Sequence, residues 1–160
     1  MSRAFVKEAD PDDPVVLADR PISTQKNYVT AAGYQQLQQK LADLLKALES
    51  AEDAEGLSAK TRRAELLRDI RYFRLRLDSA EVVSVRNTAQ VRFGHTVSFI
   101  DENGVTYGFQ IVGEDEADVS QNKISWASPL AKTLLGKEIG DTVFWQKAHS
   151  QIEIEITKIQ

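Results

Sequence analysis

Apolar residues in the first half of the chain fall into two helical stripes. Tyr34, Leu37, Leu41, Leu44 and Leu48 recur at alternating steps of three and four, and Leu66, Ile70, Phe73, Leu77 and Ala80 repeat that spacing beyond Gly56. Positions three and four apart share one face of a helix, so the pattern predicts two amphipathic helices, each with a coiled-coil seam. Thr30 is a plausible N-cap for the first. The connection is short, and the simplest way to bury both seams is against each other. The result is an antiparallel hairpin with its tip near residues 50–58 and arms of about 22 residues, roughly 33 Å at ~1.5 Å per residue. Two helices have no other core, so this hairpin should project from something else.

Beyond residue 90 the period shortens to two. Val91, Phe93, His95, Val97 and Phe99 alternate with polar residues, and Asp101-Glu102-Asn103-Gly104 supplies a hairpin turn. Val105–Val112, Lys123–Ala127, Thr142–Gln146 and Ile152–Ile159 read as further strands, the last with Ile152, Ile154 and Ile156 alternating against Glu153 and Glu155. Ser128 followed by Pro129 opens a short helix that Gly136 closes. These elements add up to a small antiparallel sheet with one helix packed on it, and with the hairpin to an α+β fold. Residues 1–27 show neither period, hold three of the four prolines and carry Asp10, Asp12 and Asp13. They read as a flexible tail, with a docking peptide around Val15-Val16-Leu17 as the rival. The expected division is therefore a tail over 1–27, a hairpin over 28–83 and a sheet domain over 84–160.

Composition narrows the chemistry. Cysteine is absent, which removes disulfides, thiolate zinc sites and a cysteine nucleophile, and leaves only His95 and His149 as imidazoles. His95, in phase with Phe93 and Val97, reads as a hydrogen-bonded core residue rather than a ligand or base. The glycines are not spaced as a phosphate-cradling loop, and no nucleophile stands at a recognisable distance from a base. No apolar run approaches the ~18 residues of a membrane helix, and the N-terminus turns acidic before a signal-peptide core could form. The expectation is a cytoplasmic binding protein with no catalytic residue, metal or cofactor of its own. The formal charge of −4 argues against a dedicated duplex-binding protein but hides local structure.

That local structure is polarised. Glu49, Glu52, Asp53 and Glu55 gather at the expected tip, where they could hold a divalent cation but read more simply as acids of a solvated turn. The second helix carries Lys60, Arg62, Arg63, Arg68, Arg71, Arg74 and Arg76 within 17 residues, with Tyr72 among them. This face suits nucleic acid phosphates or an acidic protein groove; equally, it is a solvated face paired across the hairpin with Asp43 and Glu49.

The stretch Ile124-Ser125-Trp126-Ala127-Ser128-Pro129-Leu130-Ala131-Lys132-Thr133-Leu134-Leu135-Gly136-Lys137-Glu138-Ile139-Gly140-Asp141-Thr142-Val143 resembles the C-terminal signature of the bacterial Gre transcript-cleavage factors, the GreA/GreB-like family. Phe109–Glu116, the helix opening Tyr28–Leu37 and Ile70-Arg71-Tyr72 are similar to the same family, which extends the likeness over about residues 28–159. The resemblance implies a coiled-coil hairpin followed by an FKBP-like domain. It also implies bacterial RNA polymerase as the partner of an expected monomer, with the hairpin entering the secondary channel close to RNA or DNA. Trp126, Ala127, Ser128, Pro129 and Leu130 would form the docking segment.

In cleaving members the tip carries an Asp-Leu-Ser-Glu type motif, whose two carboxylates help the polymerase hold its second magnesium ion and activate water. Here the corresponding stretch is Glu55-Gly56-Leu57-Ser58-Ala59-Lys60, with Gly56 and Ala59 in place of the acids. Both arms also look about two turns shorter than in cleaving members, which at ~5.4 Å per turn sets the tip back roughly 11 Å. The short hairpin is similar to that of the regulator of nucleoside diphosphate kinase, a polymerase-binding relative without cleavage activity. The expectation is an elongation regulator without robust cleavage. The alternatives are a cleavage factor using Glu52, Asp53 or Glu55, a prolyl isomerase whose aromatic pocket would draw on Trp126, Phe144 and Trp145, and a nucleic acid-binding module using Arg63, Arg68, Arg71 and Arg74.

Overall fold

A computed structural model describes residues 13–160. The chain divides into two compact units, one joining residues up to Ile22 with Lys40–Leu75, the other joining Ser23–Gln39 with Arg76–Gln160. This division lies inside the two long helices. Of the expected tail, residues 1–12 fall outside the described residues, 13–22 belong to the helical unit, and Asn27 is buried in the sheet unit.

A two-residue strand β1 (Tyr28–Val29) leads into α1 (Ala31–Ser50), a turn, α2 (Leu57–Asp78) and β2 (Glu81–Val82), which pairs in parallel with β1. In the helical unit the seam forms as its period predicts. Leu44, Leu66 and Ile70 are buried, with Leu41, Leu48, Ala51 and Phe73 packed around them. Gly56, at φ 95°, turns the chain into α2. The turn is closed by Arg63, whose Nη1 donates to the carbonyls of Ala51 at 2.8 Å and Ala54 at 2.6 Å.

The sheet unit continues with β3 (Thr96–Asp101), β4 (Thr106–Val112), β5 (Lys123–Ser125), α3 (Pro129–Leu134), β6 (Thr142–Lys147) and β7 (Ser150–Ile159). The strand order is β5-β4-β3-β7-β6. Val97, Phe99, Ile111, Val143, Ile154 and Ile156 point to one face, where Leu130, Ala131 and Leu134 of α3 complete the core. The Asp101–Gly104 turn forms where expected, with the Asp101 carboxylate accepting from the amides of Asn103 and Val105. Ser128 caps α3 through its Oγ, and Pro129 opens the helix.

Two expectations are corrected. The sheet is mixed: β5 runs parallel to β4, because the connection through a 3-10 turn at Val119–Gln121 returns the chain in the same direction. The strand expected from Val91 begins only at Thr96. Gly94 adopts φ 88°, which ends the extended run, and Val91 instead exchanges backbone hydrogen bonds with Lys137 and Gly136 after α3. Val91 is still fully buried, so the alternation marked burial correctly and pairing wrongly.

Candidate functional site

The residues singled out by the sequence separate into three places. At the hairpin tip Glu52, Asp53 and Glu55 are exposed, and Leu57 is 72% exposed. Glu52, Glu55 and Leu57 border an open hollow of about 580 Å³ that Lys60 and Arg63 also line. Among the described residues no three acidic or imidazole side chains are grouped to hold a metal ion. Gly56 adopts a conformation that L side chains rarely take, so a carboxylate at position 56 would require a different turn.

The arginine face is less continuous than the sequence suggests. Arg63 is spent on the tip carbonyls, Arg62 lies 3.6 Å from Glu65, and Arg68 is bonded to Asp69 at 3.2 Å. Arg76 is not on a solvent face at all: it is 1% exposed, inside the sheet unit. Arg71 and Arg74 remain exposed. Arg71 holds Asp19, whose Oδ1 receives both Nε and Nη2 at 2.7 Å. The guanidinium of Arg20 stands 3.7 Å from the centre of the Tyr72 ring and 3.6 Å from Asp69.

In the expected docking segment, Leu130 turns into the core, Pro129 is exposed, and Trp126, Ala127 and Ser128 are half-buried. Trp126 meets Tyr28 edge to face at 5.1 Å, and its indole N–H is buried without an acceptor. The other candidate rings lie elsewhere. Trp145 closes on Phe99, Tyr107 and Phe109, while Phe144, its neighbour on β6, points the opposite way and is 56% exposed. The three aromatics considered for an isomerase pocket are therefore not brought together. His95 is a core residue, as expected. Its Nδ1 accepts from the Arg92 amide at 3.1 Å and its Nε2 lies 2.6 Å from the Arg86 carbonyl, which fits a neutral ring with the proton on Nε2.

Sequence reasoning missed a buried polar network in the sheet unit. Arg76 bonds Asp115, reaches Asn27 Oδ1 at 2.7 Å and lies 3.4 Å from Glu114, while Asn27 Nδ2 donates to the Arg76 carbonyl at 2.6 Å. Beside it Glu116, 8% exposed, accepts from Thr30 Oγ1 at 2.7 Å, and Thr30 Oγ1 in turn accepts from the Gly33 amide at 2.9 Å. A Cβ at Gly33 would collide with the Glu116 carboxylate. The available signal was Gly33 standing three residues after the capping Thr30, in the first turn of a helix, where glycine is costly unless close approach requires it.

The geometry gives a helical hairpin with an exposed tip and a sheet domain with a proline-headed helix. The model of the C-terminal domain of GreA/GreB transcription elongation factors matches residues 86–160. A transcription elongation factor GreB of Neisseria meningitidis is 36% identical over 153 residues, covering 84% of this chain and 94% of its own length. The GreA of Phenylobacterium zucineum is 34% identical over 154 residues, covering 85% and 98%. The chain belongs to the GreA/GreB family of transcription elongation factors. Among solved structures, Gfh1 of Thermus thermophilus, described as a GreA factor homolog, is 25% identical over 85% of this chain and 99% of its own, with a TM-score of 0.42; membership rests on the sequence matches. A GreA/GreB protein takes part in transcription elongation, and among its described residues no helix is long and apolar enough to cross a membrane.

Proposed function

We propose that this GreA/GreB protein binds bacterial RNA polymerase and regulates elongation from the secondary channel without robust transcript cleavage. The observation that carries this reading is the tip itself. Gly56 and Ala59 flank Leu57-Ser58 where cleaving relatives would place a carboxylate pair, and Gly56 occupies a conformation unsuited to a side chain. Two-metal RNA hydrolysis needs those acids to steady an ion and a water. Glu52, Asp53 and Glu55 are exposed but not grouped for that task.

Docking would use Pro129 and the half-buried Trp126-Ala127-Ser128, with Leu130 acting from the core to hold the helix that presents them. In this role the protein has no catalysis of its own and acts as a monomer in the cytoplasm.

Transcript cleavage in a purified, backtracked bacterial elongation complex tests the proposal. The expected result is no RNA shortening by this protein alone and suppression of a competing long-hairpin cleavage factor. RNA shortening abolished by Asp53→Ala or Glu55→Ala would overturn the reading in favour of a cleavage factor with substitute acids. Failure to bind core polymerase at low salt would remove the partner.

A further inference from the structure

Residues 13–22 run without helix or strand and share the compact unit of α2. Val15 and Leu17 are half-buried whereas Val16 between them is 85% exposed. That alternation is what an extended segment shows when one side faces a surface. Further along, Asp19 places one carboxylate oxygen in the fork of Arg71, and Arg20 covers Tyr72 while pairing with Asp69. The segment thus engages a cation and an aromatic ring side by side on one helix.

Those two groups are what a nucleic acid strand uses. A phosphate oxygen accepts from a guanidinium fork as a carboxylate does, and a base stacks on an aromatic ring where another planar group can also lie. Arg68 and Arg74 stand three residues to either side of Arg71 and so continue its face along the helix. Asp19 and Arg71 are 72% and 49% exposed, so their pairing is solvent-screened and easily exchanged for another anion.

We infer that residues 13–22 are a built-in occupant of an RNA-binding face of α2, holding Arg71 and Tyr72 until a single RNA strand displaces the segment. Asp19 stands in for the phosphate and Arg20 for the stacked base. The inference does not rest on polymerase binding, and it is tested without polymerase.

The probe is a fluorescein-labelled 12-nucleotide RNA titrated into the full chain at low salt. The double variant Asp19→Ala/Arg20→Ala removes one charge of each sign and leaves the net charge unchanged, so a gain in affinity cannot come from bulk electrostatics. It should bind the RNA about three- to ten-fold more tightly than the parent chain, and adding Arg71→Ala should abolish the gain. Hydrogen exchange of the parent chain should show faster exchange over residues 14–22 when RNA is saturating. Equal affinity of parent and double variant overturns the inference, as does an absence of RNA binding by both. RNA binding that leaves exchange over 14–22 unchanged places the strand elsewhere and overturns it too.

Discussion

The two compact units bury their residues on different scales. The sheet unit closes ten buried residues into one core from Val91 to Ile156, whereas the helical unit buries Leu44, Leu66 and Ile70 and relies on half-buried neighbours. The polar groups differ in the same sense. In the sheet unit Arg76, Asn27, Thr30 and Glu116 are buried and bonded in pairs, Arg76 to Asn27 and Thr30 to Glu116. In the helical unit the ion pairs Asp19–Arg71 and Arg62–Glu65 lie largely in solvent, where such pairs add little. The sheet unit is therefore built to hold one structure, and the helical unit presents side chains on a thin seam.

That contrast breaks first under large-to-small substitution. Phe99→Ala in the sheet unit should cost about 3–5 kcal/mol, and Leu66→Ala in the hairpin about 2–3 kcal/mol, since a seam open to solvent can partly close around the lost volume. Urea unfolding followed by tryptophan fluorescence and by helical ellipticity separates the two, because Trp126 and Trp145 both belong to the sheet unit. If Leu66→Ala moved both signals equally, the units would unfold together and the comparison would fail.

A similarly large effect is expected from Arg76→Met, about 3 kcal/mol, because it removes the buried guanidinium that bonds the Asp115 carboxylate, 12% exposed, and Asn27. The double variant Arg76→Met/Asp115→Asn should recover part of the loss, as read from urea midpoints. A single variant as stable as the parent would show that the network contributes nothing. Gly33→Ala should cost about 1–3 kcal/mol by forcing Glu116 off Thr30, against at most ~0.5 kcal/mol for Asp53→Ala at the exposed tip; a thermal melt of each ranks them.

The smallest effect concerns pH. The Asp118 carboxyl is held below its ordinary range, first by the Ser120 hydroxyl and then by the backbone amides of Ser120 and Gln121 and the charge of Lys123. A lowered folded-state value means that the contribution is present above the ordinary carboxylate range and lost as pH falls through the lowered one. Below about pH 4 the turn at Val119–Gln121 should therefore fray, visible as a loss of protection of the Ser120 amide relative to its intrinsic exchange rate at the same pH. Protection that stays constant down to full protonation would contradict this.

The sequence by itself determined the elements whose periods are set by local geometry. Both helical stripes, the turn at Asp101–Gly104, the Ser128-Pro129 start of α3 and the family likeness across residues 28–159 were all legible, because spacing, capping and turn chemistry act over a few residues. That Gly56 and Ala59, rather than acids, flank Leu57-Ser58 was legible for the same reason. Tertiary structure alone decided where polar side chains went. Arg76 sits among arginines in the sequence, yet its guanidinium is buried against Asp115 and Asn27. Arg63 serves the carbonyls of the tip, Leu130 turns into the core, and Gly94 stops a strand that alternation would have started at Val91. A charged side chain takes its partners from residues tens of positions away, and periodicity along the chain carries no record of them.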